Sequence, residues 1–165
     1  MQRTDGRAHL YGMELETSEW PPSLIANYRE HRLALVRVAA LILGSRGLAE
    51  EAVHDAVVAV HGRWDGLEHP GAYLRTAVIN RAREILRRRR PEWPIDEVGI
   101  ELPESLVDLY RSLGRLPGRQ RVAVVLRFFV DLDDNEIASH LGCRPGTVRS
   151  LISRALATLR KEMSS

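Results

Sequence analysis

LDDNEIASHLGCRPGTVRSLISRALATL, residues 132–159, opens with Asp133 and Glu136 at the spacing of a capping box, flanked by Leu132 and Ile137 in the positions of a hydrophobic staple. This predicts a helix from Asp134, with Ile137, Ala138 and Leu141 as its apolar stripe. Gly142 follows at once, and a glycine there takes the left-handed conformation that stops a helix. Pro145 suits the first position of a second helix, whose buried face is Val148, Ile152, Ala155, Leu156 and Leu159. Arg149, Ser150, Ser153 and Arg154 fall largely on its other side. Two helices joined by a tight glycine turn, the second polar and basic outside, fit a helix-turn-helix that enters a DNA major groove. The same pattern also fits an ordinary helical hairpin.

Upstream of this unit the periodicity predicts helices and no strands. One carries Leu106, Leu109, Tyr110 and Leu113, and the next, opened by Leu116-Pro117, turns Val122, Val125, Leu126 and Phe129 inward. Before them the segment PIDEVGIEL, between Glu92 and Leu102, has no helical period; with Pro91 and Pro94 it reads as a linker. The N-terminal half predicts three helices. The first is capped by Ser23 and buries Leu24, Tyr28, Leu35, Ala39 and Ile42, with Gly44 and Gly47 bracketing the turn after it. The second, from Leu48, turns Ala49, Val53, Ala56, Val57, Val60 and Trp64 inward and carries Glu51, His54 and Asp55 on the opposite face, either a solvated patch or a docking face. The third, after the turn-rich residues 66–71, buries Leu74, Val78, Ala82 and Ile85; Arg75, Asn80, Arg83 and Arg87 to Arg90 lie on or beyond its outer side. Arginines in a last turn suit the helix dipole, yet six in the decade 81–90 repel one another, and a phosphate backbone would neutralise them. The expected fold is all-α: a disordered tail at 1–20, or sequence upstream of a start at Met13, then helical domains at 21–90 and 105–165 joined by the linker 91–104.

Composition narrows the function. The 165 residues carry a formal charge of +2, and all but one of the 24 basic residues are arginine, the side chain suited to bidentate phosphate or guanine contacts and one also raised by codon bias in GC-rich genomes. The single Cys143 excludes an internal disulfide framework and a Cys-rich zinc site; beside Gly142 it reads as a small packed residue. There is no nucleophile elbow, Gly-rich phosphate loop or metal-ligand pair, so neither catalysis nor a cofactor is expected. With no apolar run of bilayer length and no signal-peptide pattern, the expectation is a soluble, cytoplasmic protein.

The segment LPGRQRVAVVLRFFVDLDDNEIASHLGCRPGTVRSLISRALATLR resembles region four of bacterial extracytoplasmic-function sigma factors. LAEEAVHDAVVAV and RWDGLEHPGAYLRTAVINRAREILRRRR resemble region two of the same sigma-70 family, in the form found in many actinobacteria. Both regions stand in the family's order, with a short linker in place of region three. The resemblance implies binding to core RNA polymerase, through the β′ clamp coiled coil and the β flap, and to promoter DNA. Family members often have an anti-sigma factor, which is a candidate partner here. Glu51, His54 and Asp55 match the positions that meet the β′ coiled coil, where the family often has Asp, Gln and Glu. The loop 65–70 and the helix after it match the part that captures a flipped minus-ten base. Asn80 and Arg83 match the face meeting that element, and Arg87, Arg88, Arg89 and Arg90 would meet phosphates. Trp64 and Tyr73 are candidates for stacking, or core aromatics. Arg144, Thr147, Arg149, Ser150, Ser153 and Arg154 match the face that reads the minus-thirty-five element, with Arg144 where the family often has a capping Ser. The linker's Glu92, Asp96, Glu97 and Glu101 fit either a mimic of RNA charge or an ordinary solvated linker. A free-standing repressor or activator would need a pocket or a self-complementary apolar face in its N-terminal half, which instead shows an acidic helix followed by a basic one.

Overall fold

The computed structural model describes residues 20–93 and 103–164, together with the backbone of residues 7–10 and 13–16. Its helices are α1 (Pro22–Leu43), α2 (Arg46–Val60), α3 (Pro70–Arg89), α4 (Glu104–Leu113), α5 (Gly118–Phe128), α6 (Asp134–Leu141) and α7 (Pro145–Met163), with a 3-10 turn at His61–Gly66 after α2. The exception to the helical rule is in the tail, where β1 (Arg7–Leu10) and β2 (Met13–Glu16) pair antiparallel with Leu10 opposite Met13. This pairing, with Arg7 opposite Glu16 at its open end, departs from the disordered tail expected at 1–20. The acidic linker residues Asp96, Glu97 and Glu101 lie outside the described residues, as do those of the tail beyond its two strands.

In the first half α1, α2 and α3 pack mutually. Leu24, Ile42, Val53, Val57, Leu74, Val78 and Ile79 lie fully inside. The termini differ from expectation in ways the local chemistry explains. Ser23 does not cap α1: Pro22, with no N–H to satisfy, takes the first turn, and Ser23 Oγ accepts a hydrogen bond from Trp64 Nε1 at 3.0 Å instead. Ser45 is the cap that the sequence did not suggest; its Oγ accepts from the Leu48 amide, so α2 starts at Arg46 and takes Gly47 inside. Gly44 does stop α1 at φ 73°.

In the second half α7 packs on α4, α5 and α6. Asp133 caps α6 by accepting from the Glu136 amide at 2.8 Å, while the Glu136 carboxylate accepts from the Asp133 amide at 2.9 Å. Gly142 turns left-handed at φ 61°, and the Cys143 amide reaches back to the Ala138 carbonyl at 3.1 Å. Pro145 starts α7, with Val148, Ile152, Ala155 and Leu159 buried and Leu156 partly so. Phe129 was expected inside and is 38% exposed, because α5 ends at Phe128 and the chain turns outward there.

The two halves also touch. α5 lies against α1 and α3, so the second bundle covers part of the first. The capping box is local to α6, so Asp133→Ala should lower stability by about 0.5–2 kcal/mol, read as a lower urea midpoint with an unchanged slope; an unaltered midpoint would show that α6 is held by packing alone.

Candidate nucleic-acid interface

On α7 every residue of the expected reading face reaches solvent: Arg144, Thr147, Arg149, Ser150, Ser153 and Arg154 are exposed. The face exists because Gly142 ends α6 in the left-handed conformation, Pro145 starts α7, and the apolar stripe of α7 ties its opposite side to the core. Arg144 occupies the cap position without a capping side chain; Pro145 has no N–H to satisfy, and the Thr147 and Val148 amides donate to the Arg144 carbonyl at 2.9 and 3.2 Å. Arg149 Nη1 donates to Asp134 Oδ2 at 3.2 Å, and Asp134 is held in turn by Arg127. Such an exposed ion pair is worth about 0–1 kcal/mol, so a guanine edge or phosphate could displace it.

The α3 face is organised differently. Of its arginines, three are occupied by carboxylates: Arg81 Nε donates to Asp55 at 2.8 Å and its Nη1 to Glu84 at 2.9 Å, Arg88 pairs with Glu84 at 3.0 Å, and Arg89 grips Glu51 with both Nη atoms at 2.8 and 3.0 Å. The hydrogen bonds to Asp55 and Glu84 raise the Arg81 pKa, and the Arg81 bond followed by the Arg88 charge lowers that of Glu84. The acidic face of α2 is therefore not a free patch: Glu51, His54 and Asp55 are half-buried, and α3 balances both carboxylates. Spacing alone could not show this, because the partners lie 26 and 38 residues apart.

The remaining cations of α3 face the second half. Asn80, Arg83, Arg87 and Arg90 line a cleft of about 590 Å³ whose far wall is Gly118, Arg119 and Val122 of α5 with Leu141 of α6. Arg83 is half-buried, and its pKa is lowered by burial and then by the Arg119 charge opposite. His140 Nδ1 stands 3.2 Å from Asn80 Oδ1, the contact of an N–H donor with an amide oxygen. Arg119 and His140 were absent from the expected site, since only the packing of the two halves brings them to α3. Of the two aromatic candidates, Trp64 is core at 3% exposure, whereas Tyr73 is 39% exposed and accepts from Arg63 Nη1 at 3.0 Å. Among the described residues no three His, Cys, Asp or Glu side chains come together as a metal site, and no helix is long and apolar enough to cross a membrane.

A helical bundle with one basic face, joined to a second bundle that presents an exposed helix-turn-helix, defines a two-part DNA-binding protein. Comparison with known proteins makes the class specific. Residues 28–92 match the family described as Sigma-70 region 2, and residues 106–159 match Sigma-70, region 4. The chain is 36% identical over 152 residues to an RNA polymerase sigma-E factor of Streptomyces avermitilis, covering 83% of each. It is 31% identical over 147 residues to the ECF RNA polymerase sigma factor SigM of Mycobacterium tuberculosis, covering 81% of this chain and 74% of that one. Its fold is similar to the sigma factor RpoE of Bartonella quintana, solved with the anti-sigma factor NepR, at a TM-score of 0.63 and 25% identity over 82% of this chain and 95% of that one. The chain belongs to the sigma-70 family, as an extracytoplasmic-function sigma factor of the actinobacterial type.

Burial, then the charges of Arg83 and Arg75, lower the His140 pKa, with Glu136 opposing. A His held neutral in the fold takes up its proton more readily when unfolded, so this contact contributes stability that is intact above about pH 6.5 and is lost as the pH falls through the folded value. In an NMR titration the His140 midpoint should lie below its ordinary value and rise in Arg83→Gln; an unmoved midpoint would mean that the two side chains do not sense each other.

Proposed function

We propose that this chain binds core RNA polymerase, directs it to a promoter with minus-thirty-five and minus-ten elements and assists DNA opening, acting in the cytoplasm without chemistry of its own. The observation that carries the reading is the pairing, in one chain, of an exposed arginine-bearing α7 with a second basic helix, α3, in the family order of region two before region four. In this reading Arg144, Thr147, Arg149, Ser150, Ser153 and Arg154 meet the minus-thirty-five major groove. Asn80 and Arg83 meet the minus-ten element, with Arg87, Arg88, Arg89 and Arg90 near its phosphates; Arg88 and Arg89 must then exchange Glu84 and Glu51 for phosphate. Tyr73 is the accessible aromatic on which an unstacked base could rest. Glu51, His54 and Asp55 meet the β′ coiled coil, and region four meets the β flap. The compact form of this chain and its likeness to a sigma factor solved with an anti-sigma factor make such a protein a candidate partner.

The test is promoter-dependent transcription by core polymerase with this protein as the one added factor. Specific initiation supports the reading, and transcripts no different from those of core alone contradict it. Within that assay Arg149 and Arg154 separate reading from holding. Arg149, near the start of α7, is placed to reach base edges, and Arg154 lies more than a turn further on, toward phosphate. Arg149→Ala should cost about 1–3 kcal/mol on the preferred sequence and flatten discrimination at one or two base pairs, whereas Arg154→Ala should weaken all sequences alike and lower the salt slope by about one. Holoenzyme binding to single-base promoter variants at two salt concentrations measures both; discrimination lost in Arg154→Ala and kept in Arg149→Ala would invert the assignment.

A further inference from the structure

We propose that the cleft between α3 and α5 is a binding site for a short polyphosphate chain, either free or as the tail of a nucleotide. The site does not depend on the reading of α3 as a DNA-binding helix, and it draws on Arg119, which that reading leaves without a role.

Four guanidiniums line the cleft: Arg83 and Arg87 of α3, Arg90 at its C-cap, and Arg119 in the first turn of α5. Among the described residues, Arg83, Arg87 and Arg90 have no hydrogen bond or ion pair, and Arg119 makes one hydrogen bond, from Nη2 to the Leu141 carbonyl at 3.2 Å. The lining includes one carboxylate, Glu84, and it is already held by Arg81 at 2.9 Å and Arg88 at 3.0 Å. Arg81, Arg88 and Arg89 each meet a carboxylate within 3.0 Å, so the cleft gathers the arginines from the same stretch of α3 that meet none. Like charges brought together in a partly buried place repel at reduced dielectric. Burial and then the Arg119 charge lower the Arg83 pKa accordingly. Arginine is not neutralised by losing its proton, so the compensation that fits the cleft is an anion.

The spacing selects the kind of anion. Arg83, Arg87 and Arg90 stand at i, i+4 and i+7, one stripe about 10 Å long, with Arg119 on the opposite wall. A single phosphate or carboxylate meets one or two of these planar forks, whereas linked phosphates offer oxygens to all of them. Leu86, Val122 and Leu141 add apolar lining, which suits the face of a base. The cleft, at about 590 Å³, has the size of a small-molecule site.

The probes are sodium tripolyphosphate, ATP and adenosine, each titrated calorimetrically into the full chain without divalent ions. Salt at about 0.15 M screens attraction between distant exposed charges. Tripolyphosphate and ATP should each bind at one site per chain, and adenosine should not bind. Tighter binding of ATP assigns the site to a nucleotide, and equal affinities assign it to the phosphate chain; both uphold the site. Loss of one guanidinium–phosphate contact should weaken tripolyphosphate about tenfold in Arg119→Gln and again in a separate Arg87→Gln variant. Arg87 is exposed and holds nothing in the fold, so its variant keeps the test decisive even where Arg119→Gln disturbs the contact with Leu141. Arg37→Gln removes the same charge from an exposed position of α1 outside the cleft and should leave the affinity unchanged. The site is overturned by unsaturable binding, by adenosine binding as tightly as ATP, or by a loss in Arg37→Gln equal to that in Arg87→Gln. It is equally overturned if Arg87→Gln and Arg119→Gln both bind like the unchanged chain. Promoter-dependent transcription is a separate assay, and its failure would leave these affinities where they are.

Discussion

A guanidinium buried against backbone carbonyls is the contact on which the arrangement of this molecule depends. Arg121 remains charged, since arginine is not deprotonated in proteins, although burial lowers its pKa. Its stability therefore depends on the carbonyls of Ile42, Leu113 and Leu116 being in place at once. Those of Leu113 and Leu116 come from its own bundle; that of Ile42 comes from the other. Leaving a buried polar group unmet costs about 1–3 kcal/mol, more when it is charged, so separation of the halves must bring water to the Arg121 side chain. That requirement couples the internal packing of the second bundle to the position of the first.

The electrostatics of α3 follow from the same closure. The arginines of this stretch divide between neighbours on α2, neighbours on α3 itself and the cleft facing α5. Arg81 and Arg89 point to Asp55 and Glu51 and tie the first bundle together, while Arg83, Arg87 and Arg90 line the cleft. A modest net charge of +2 thus conceals a strong local separation, with acid against base inside the first bundle and base against base between the two.

Much of the architecture was legible because its signals are local. The α6 capping box, the left-handed Gly142, the α7 start at Pro145 and the apolar stripes of α1, α2, α3 and α7 each depend on residues within one or two turns, and each is found where the spacing places it. What depended on the rest of the chain was not legible. Ser23 looked like a cap and became the acceptor for Trp64, 41 residues away. Phe129 fitted the α5 stripe but fell past the last turn. Arg121 sits among apolar residues that periodicity marks as core, and no local rule says that its partner is a carbonyl 79 residues earlier. That Arg149, Ser150, Ser153 and Arg154 would lie on the exposed side of α7 was legible from spacing; the ion pairs and the α5 wall that alter the α2 and α3 faces were not, because they exist only in the packed molecule.

For α3 to meet promoter DNA on the polymerase, the halves that lie together in the free chain must separate there. The most direct measurement is single-molecule energy transfer between dyes on α1 and α7, recorded for the free chain and again after core polymerase is added. A single high-transfer population that moves to low transfer as transcription-competent complex forms is the result this account predicts. A high-transfer population that persists in complexes that initiate from a promoter would contradict it.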